Sequence, residues 1–361
     1  MEAFLKIIES NKEYFNYPKE LSTLLINSET PIYYIDELKH LKTININGES
    51  SSYQTEIIDY NALNKFEELE MLVITDNQNI KELDITNLKK LHTLVLINNK
   101  HLTDIKGIEN LKELNTVIMV NNKIKTINNF GQFIENTKKS EIIKLDINMY
   151  HYLNKSDIIN SENNNIGFAE KISVGQFYNL SLENMKELYE KGLKITQHIN
   201  ENDKYKIALE IYKYLINTIT YDYETLEKRN KYMLEGNLIN VYQNDYKDIN
   251  SSYKALIEGK AVCEGYANAF KFLTNLKNIE AENIVCFLNK TNTEFEYYNH
   301  TASRFKIGNE WLYCDPQIEE KNEINYFGLK REIFEETHRL EPEKTKKKGV
   351  IKWNKYWPKT T

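Results

Sequence analysis

A chain of 361 residues has room for two domains with cores of their own, at roughly 100 to 200 residues per domain. Its 47 Lys and Arg against 53 Asp and Glu leave a formal charge of −6, so no overall basic field draws it to nucleic acid or anionic lipid, and neither is expected as a partner. The three cysteines, Cys263, Cys286 and Cys314, are too few and too odd in number for a disulfide framework and point to free thiols in a reducing setting.

The opening Met1-Glu2-Ala3-Phe4-Leu5-Lys6 lacks the basic n-region and long apolar stretch of a signal peptide, and no apolar run approaches membrane-spanning length. The expectation is a soluble, cytoplasmic protein without a membrane span. A secreted or surface location stays open if a leader precedes the sequence as given.

Residues 1–37 read as short helices placed to cap an exposed core at the start of the next region, 38–150. There the sequence repeats: Leu69-x-x-Leu72-x-Ile74-x-x-Asn77 returns as Leu91-x-x-Leu94-x-Leu96-x-x-Asn99 and as Leu114-x-x-Val117-x-Met119-x-x-Asn122. The offsets are 22 and 23 residues, and the pattern resembles leucine-rich repeats, whose period is about 20 to 29. A diverged copy begins at Leu41 with Ile44 and Ile46, and Ile142-x-x-Leu145-x-Ile147 is expected to close the far end. Such an array is a solenoid of short parallel strands, with asparagine side chains satisfying the backbone where each strand turns away. Between the inward leucines, Val73, Thr75, Val95, Ile97, Ile118 and Val120 are expected on the concave face. That apolar stripe fits a protein ligand and equally fits cover by another part of the same chain.

The polar stretch after Tyr150 reads as a boundary, so 151–200 is taken as a linker with connecting helices, one of them starting behind Ser181. A further helix behind Asp203 carries Ile207, Ile211 and Leu215 on its buried face, and a second domain is placed at 201–340. The remaining 341–361, with Lys344, Lys346, Lys347 and Lys348, is a basic, solvated tail.

The second domain carries the chemistry. Cys263 lies where Gly259-Lys260-Ala261-Val262 runs into an amphipathic helix with Tyr266, Phe270 and Leu273 on its apolar stripe. A thiol at a helix N-terminus meets unpaired N–H groups and the positive end of the macrodipole, which favour the thiolate. Downstream, Gly308-Asn309 suits a two-residue hairpin turn. Facing residues then have numbers summing to 617: Arg304 meets Tyr313, Lys306 meets Trp311, and Cys314 opposes Ser303 as a packing residue. Ala302 opposes Asp315, and His300 lies diagonal to that carboxylate within reach. A Cys, His, Asp triad results, with Cys263 as nucleophile, His300 as base and acid, and Asp315 as orienter. The N–H of Cys263 offers part of an oxyanion hole, and Tyr253 or a tyrosine in Thr220-Tyr221-Asp222-Tyr223 is a candidate second donor. A metal site on Cys263, His300, Cys286 and Cys314 lacks paired ligand spacing. Gly-rich phosphate loops and calcium-loop spacing are also absent, so no cofactor or metal is expected, and His151, His198 and His338 are read as surface or satisfied histidines.

The runs from Ser252-Tyr253 through Gly265-Tyr266, then His300, then Trp311-Leu312-Tyr313-Cys314-Asp315-Pro316 resemble the transglutaminase-like superfamily over roughly residues 205 to 320. That resemblance implies an α+β papain-like core, a Cys-bearing helix packed on an antiparallel sheet, and a thiol acyl-transfer site at Cys263, His300 and Asp315. The chain departs from the family at Ala302 and Ser303, where members commonly carry Trp and Asn. It departs again at Gln317 in place of Thr after Asp-Pro. Ala302 and Ser303 are read as lining the site, and this altered wall leans the reading toward hydrolysis. The function expected is transglutamination, deamidation or cysteine proteolysis on a protein or peptide substrate, with the repeats choosing the partner. The alternative is a non-catalytic binding scaffold that works through the repeat face.

Overall fold

The computed structural model describes residues 23–27, 41–47, 60–160, 165–171, 177–234, 248–289, 297–319 and 324–340. Most of the expected helical cap at 1–37 and the basic tail at 341–361 fall outside them. Within the former, Thr23–Asn27 is a strand rather than a helix.

The first half is a stack of short strands: β1 (Thr23–Asn27), β2 (Thr43–Asn47), β3 (Met71–Thr75), β4 (Glu82–Asp84), β5 (Thr93–Ile97), β6 (Asp104–Lys106), β7 (Thr116–Val120), β8 (Ile142–Asp146), β9 (Ile166–Lys171) and β10 (Phe177–Leu180). Eight of them form one sheet in the order β1-β2-β3-β5-β7-β8-β9-β10, parallel until the last pair, while β4 and β6 pair by themselves. The period in the sequence sets the register. Ile44, Leu72, Leu94 and Val117 align across the sheet, as do Ile46, Ile74, Leu96 and Met119, and all eight are buried.

The asparagines do what their spacing predicts. Asn99 Oδ1 accepts the N–H of Asn77 at 3.1 Å while its Nδ2 donates to the Ile74 carbonyl at 2.9 Å. One repeat on, Asn122 Oδ1 accepts from Asn99 N–H and its Nδ2 donates to Leu96 O. Asp76, Asn98 and Asn121, the residues before each ladder position, have φ of 55°, 62° and 56°. Left-handed backbone is tolerated best by such short polar side chains.

Two expectations are corrected. Ile142 is 40% exposed, because β8 aligns through Ile143 with Val117 and Leu145 with Met119. Ser140, not Ile142, holds the leading position, its hydroxyl donating to Leu114 O at 2.5 Å. The step lengthens because helix α1 (Phe130–Asn136) is inserted before it. Nor is 151–200 simply a linker. After α2 (Lys155–Asn160), β9 and β10 extend the repeat sheet, and α3 (Leu182–Thr196) follows, its N-terminus capped by Ser181 accepting from Asn184 N–H.

The second half adds α4 (Lys204–Thr218), capped by Asp203, then β11 (Thr220–Tyr221), α5 (Tyr223–Leu234), β12 (Lys260–Ala261) and α6 (Cys263–Leu276). Ile207, Ile211 and Leu215 are buried on α4 as expected. An antiparallel sheet follows: β13 (Ala281–Asn289), β14 (Tyr297–Ile307), β15 (Glu310–Cys314), β16 (Phe327–Leu329) and, after α7 (Arg331–Phe334), β17 (His338–Arg339), in the order β16-β15-β14-β13-β17. Helix α6 packs on β13, β14 and α4. The α+β core with its helix on an antiparallel sheet is therefore as expected.

The two halves share one apolar core, which runs from Leu41 to Phe327. Polar contacts join them too: Asn275 Nδ2 donates to Asn148 O at 3.1 Å, and Ser252 N–H donates to Glu170 Oε2 at 2.8 Å. Among the described residues no helix is long and apolar enough to cross a membrane.

The ladder predicts that Asn99→Ala, which strands a buried N–H and a buried carbonyl, lowers stability by about 1–3 kcal/mol, whereas exposed Lys100→Ala changes it by less than about 0.5 kcal/mol. Urea unfolding measures both. Burial pushes the Glu170 carboxyl up to about 8, against the Ser252 N–H that favours its ionised form. Its ordinary value is 4.5, so between these two pH values the unfolded chain releases a proton that the native state retains, and stability falls as pH rises through that window. Glu170→Gln should therefore gain on wild type by up to about 4–5 kcal/mol between pH 4.5 and 9. A difference that stays flat across this range would contradict the assignment.

Candidate active site

Cys263 opens α6 as its first residue. Val262, at the N-cap with φ −101° and ψ −179°, offers no side-chain cap to the first turn, so the N–H groups and positive dipole there face the thiol region uncapped. The turn is tightly built. Val262 N–H donates to Ile249 O at 3.0 Å, and a Cβ on Gly265 would lie 2.6 Å from that same carbonyl oxygen and 2.8 Å from Ala261 Cβ. Cys263 is half-buried, whereas Cys286 and Cys314 are sealed inside. Burial, with the Asp315 charge next, pushes both of those thiols up. They are the packing cysteines.

The hairpin forms in the predicted register. Gly308 has φ 60° at the turn, and β14 and β15 pair from Ile307 with Glu310 through Lys306 with Trp311 and Arg304 with Tyr313 to Ser303 with Cys314. His300 and Asp315 are thereby brought together, with His300 Nε2 2.5 Å from Asp315 Oδ2 and both side chains buried. The loop holding Asp315 is pinned from several sides. Its N–H donates to Tyr326 O at 2.9 Å, its Oδ1 accepts Gln317 N–H at 3.0 Å, and its carbonyl lies 2.9 Å from the Tyr212 hydroxyl. The contact at 317 uses backbone, so Gln in place of Thr leaves it intact.

The electrostatics are those of an ion pair. Burial disfavours the His300 imidazolium, but the Asp315 charge and hydrogen bond, joined by the Cys263 side chain, push it up to about 10. Burial likewise opposes ionisation of Asp315, and His300 together with His338 holds it well below the ordinary carboxylate range. Asp315 and the Cys263 side chain thus both bear on the His300 imidazole.

Other expectations fare differently. Tyr253 spends its hydroxyl proton on Glu187, so it is not the second oxyanion donor. Tyr221 fits better: β11 pairs it with Ala261 in parallel, and burial followed by the nearby Cys263 charge pushes its phenol up. It keeps its proton. Ala302 and Ser303 are fully buried rather than lining an open site, Ala302 beside Cys286 and Tyr313 and Ser303 with a hydroxyl that has no hydrogen-bond partner. The lean toward hydrolysis therefore loses its basis. On the repeat face, Val73, Thr75, Val95, Ile97 and Ile118 are half-buried, while Val120 is fully covered. Lys271 of α6 donates to Asn121 Oδ1 beside it at 3.1 Å.

Two residues were missed. His338 is fully buried, with Nε2 3.0 Å from Asp315 Oδ2. It lies on a two-residue strand too short for any periodicity to reveal. Tyr212 sits beside Ile211 on α4, and only its hydroxyl, useless in an apolar stripe, hinted at a polar task. His300, Asp315 and His338 bring possible metal-ligand atoms within 4.8 Å of one another, and the hydrogen bonds of both rings to Asp315 account for that clustering. A cleft of about 1140 Å³ runs between the repeat edge and the antiparallel sheet, lined by residues that include Asn121, Asp146, Lys271, Glu264, Thr301 and Arg304. Cys263 and His300 do not line it, although their neighbours Glu264 and Thr301 do.

Residues 193–316 match the family described as the Transglutaminase-like superfamily. No curated protein matches the chain. Among solved structures, a candidate cysteine protease from Cytophaga hutchinsonii is similar at 17% identity and a TM-score of 0.27, over 37% of each chain. A structure described as a TGase is similar at 15% identity and a TM-score of 0.29, over 51% of this chain and 50% of that one. The chain thus covers half or less of each of these structures.

The burial contrast predicts that iodoacetamide at neutral pH alkylates Cys263 at least about tenfold faster than Cys286 or Cys314, read by peptide mass spectrometry, and that His300→Ala slows it. Equal rates at all three would contradict the site.

Proposed function

We infer that the second half of the chain is a thiol acyl-transfer enzyme acting on amide bonds of a protein or peptide. The observation that carries this is the buried 2.5 Å contact between His300 and Asp315, with Cys263 as a further partner of the same imidazole. The transglutaminase-like match at 193–316 supports it.

The Cys263 thiolate attacks the carbonyl carbon, and the oxygen takes up the charge near the Cys263 N–H and the Tyr221 hydroxyl. The C–N bond breaks as His300 passes its proton to the departing amine, leaving a thioester on Cys263. An amine or a water then gives a proton to His300 and attacks the thioester, releasing the acyl product and restoring the thiolate. Asp315 holds the imidazole ring and its charge throughout. An incoming amine makes this transglutamination, and water makes it deamidation or peptide hydrolysis.

In the same reading the first half is a leucine-rich repeat solenoid that helps select the protein substrate. The recurring offset, the in-register strands and the asparagine ladders support the repeat assignment. The half-buried stripe from Val73 to Ile118 supports a contact surface.

Mass spectrometry of a glutamine-rich protein incubated with the chain and a fluorescent amine tests the reaction class. Amine adducts, deamidation or cleavage that vanish in Cys263→Ala are the expected result, with Tyr221→Phe about 10 to 1000 times slower. Turnover that survives Cys263→Ala would refute the proposal, and a folded wild type inert toward every substrate tried would favour the binding-scaffold reading.

A further inference from the structure

The carboxylate of Asp315 is shared. His300 and His338 both direct Nε2 to the same atom, Oδ2, at 2.5 Å and 3.0 Å, their rings 5.9 Å apart and tilted by 46°. His338 arrives from the far side of the sheet, where β17 pairs antiparallel with β13 and sets His338 opposite Leu288. Its other nitrogen, Nδ1, lies 2.8 Å from the Thr337 hydroxyl. Since Asp315 is ionised, the proton between it and His338 belongs to Nε2, and a neutral ring then accepts at Nδ1 from Thr337. The Thr337 hydroxyl also reaches Phe334 O, at the longer distance of 3.4 Å, so the Asp315 end is what sets the tautomer.

Packing alone does not ask for a histidine there. The ring stacks on Phe334 at 4.0 Å and 19° and meets Tyr326 edge-on at 5.4 Å, contacts that a phenylalanine would also make. What histidine adds is a donor. A fully buried carboxylate has about four acceptor positions to satisfy, and Gln317 N–H fills one on Oδ1. With His300 as the sole donor on Oδ2, the group would be free to turn about its Cβ–Cγ bond or to take up a proton. Either would loosen its hold on His300.

We propose that His338 is a positioning residue: its Nε2–H locks the Asp315 carboxylate in the orientation and ionisation state that holds His300 toward Cys263. This rests on the thiol-enzyme reading above and extends that site to a fourth side chain, delivered by the returning strand β17.

The test is the pH profile of Cys263 alkylation by iodoacetamide in the full chain, for wild type, His338→Phe and His338→Gln, with urea unfolding of each measured alongside. His338→Phe keeps the stack and loses the donor. It should alkylate about tenfold more slowly near pH 6, its acid limb moved up by about one unit. His338→Gln, whose amide can donate from near the Nε2 position, should recover most of the rate. Wild-type profiles in both variants overturn the proposal and leave the thiol reading standing, and an equal loss in both at unchanged stability overturns it as well. A wild-type Cys263 no more reactive than an ordinary thiol overturns both readings together. Should His338→Phe fail to fold, nitrogen-15 histidine NMR of wild type is the remaining check: His338 protonated on Nε2 and bare on Nδ1 is expected, and the opposite tautomer refutes the proposal.

Discussion

A buried carboxylate is tolerable only when its charge is met, and the site is arranged around how Asp315 meets that condition. It sits just past the end of a strand, fully buried, and takes donors from His300, His338 and the Gln317 backbone. Such donors favour the charged form against burial. The benefit passes on to the neighbouring ring, because an ionised Asp315 favours the imidazolium of His300. Tyr212, Tyr326 and the short strand β17 serve that group, although none of them touches the sulfur.

The first half of the molecule meets the same constraint with neutral groups. Stacking strands in parallel buries a turn at the end of each, and a buried turn leaves N–H and C=O groups unpaired. One asparagine per repeat answers both, accepting from the N–H of the repeat before and donating to a strand carbonyl. The residue before it adopts the left-handed backbone that the turn requires. The apolar core continues into the helices of the second half, and Lys271 of the Cys-bearing helix α6 donates to Asn121 Oδ1 of the array.

Much of this was legible in the residues because it depends on local rules. Gly308-Asn309 specifies a two-residue turn, a two-residue turn specifies the register, and the register puts His300 beside Asp315. The asparagine spacing similarly foretold the ladders. What escaped was set by contacts far apart in sequence. Ser140 replaces a leucine because an inserted helix shifts β8, so the pattern at Ile142 misled. Ala302 and Ser303 looked like a site wall by family analogy, yet alternation on a doubly covered sheet buries both. β9 and β10 carry no repeat signature, and His338 had no neighbour in sequence to announce its partner.

The ultraviolet absorbance of the thiolate, compared between wild type and His300→Ala at neutral pH, tests the central claim most directly. Cys286 and Cys314 are silent in it because burial keeps them protonated. A Cys263 held beside the His300 imidazole should give a thiolate absorbance that His300→Ala diminishes. A signal unchanged by His300→Ala would contradict the account.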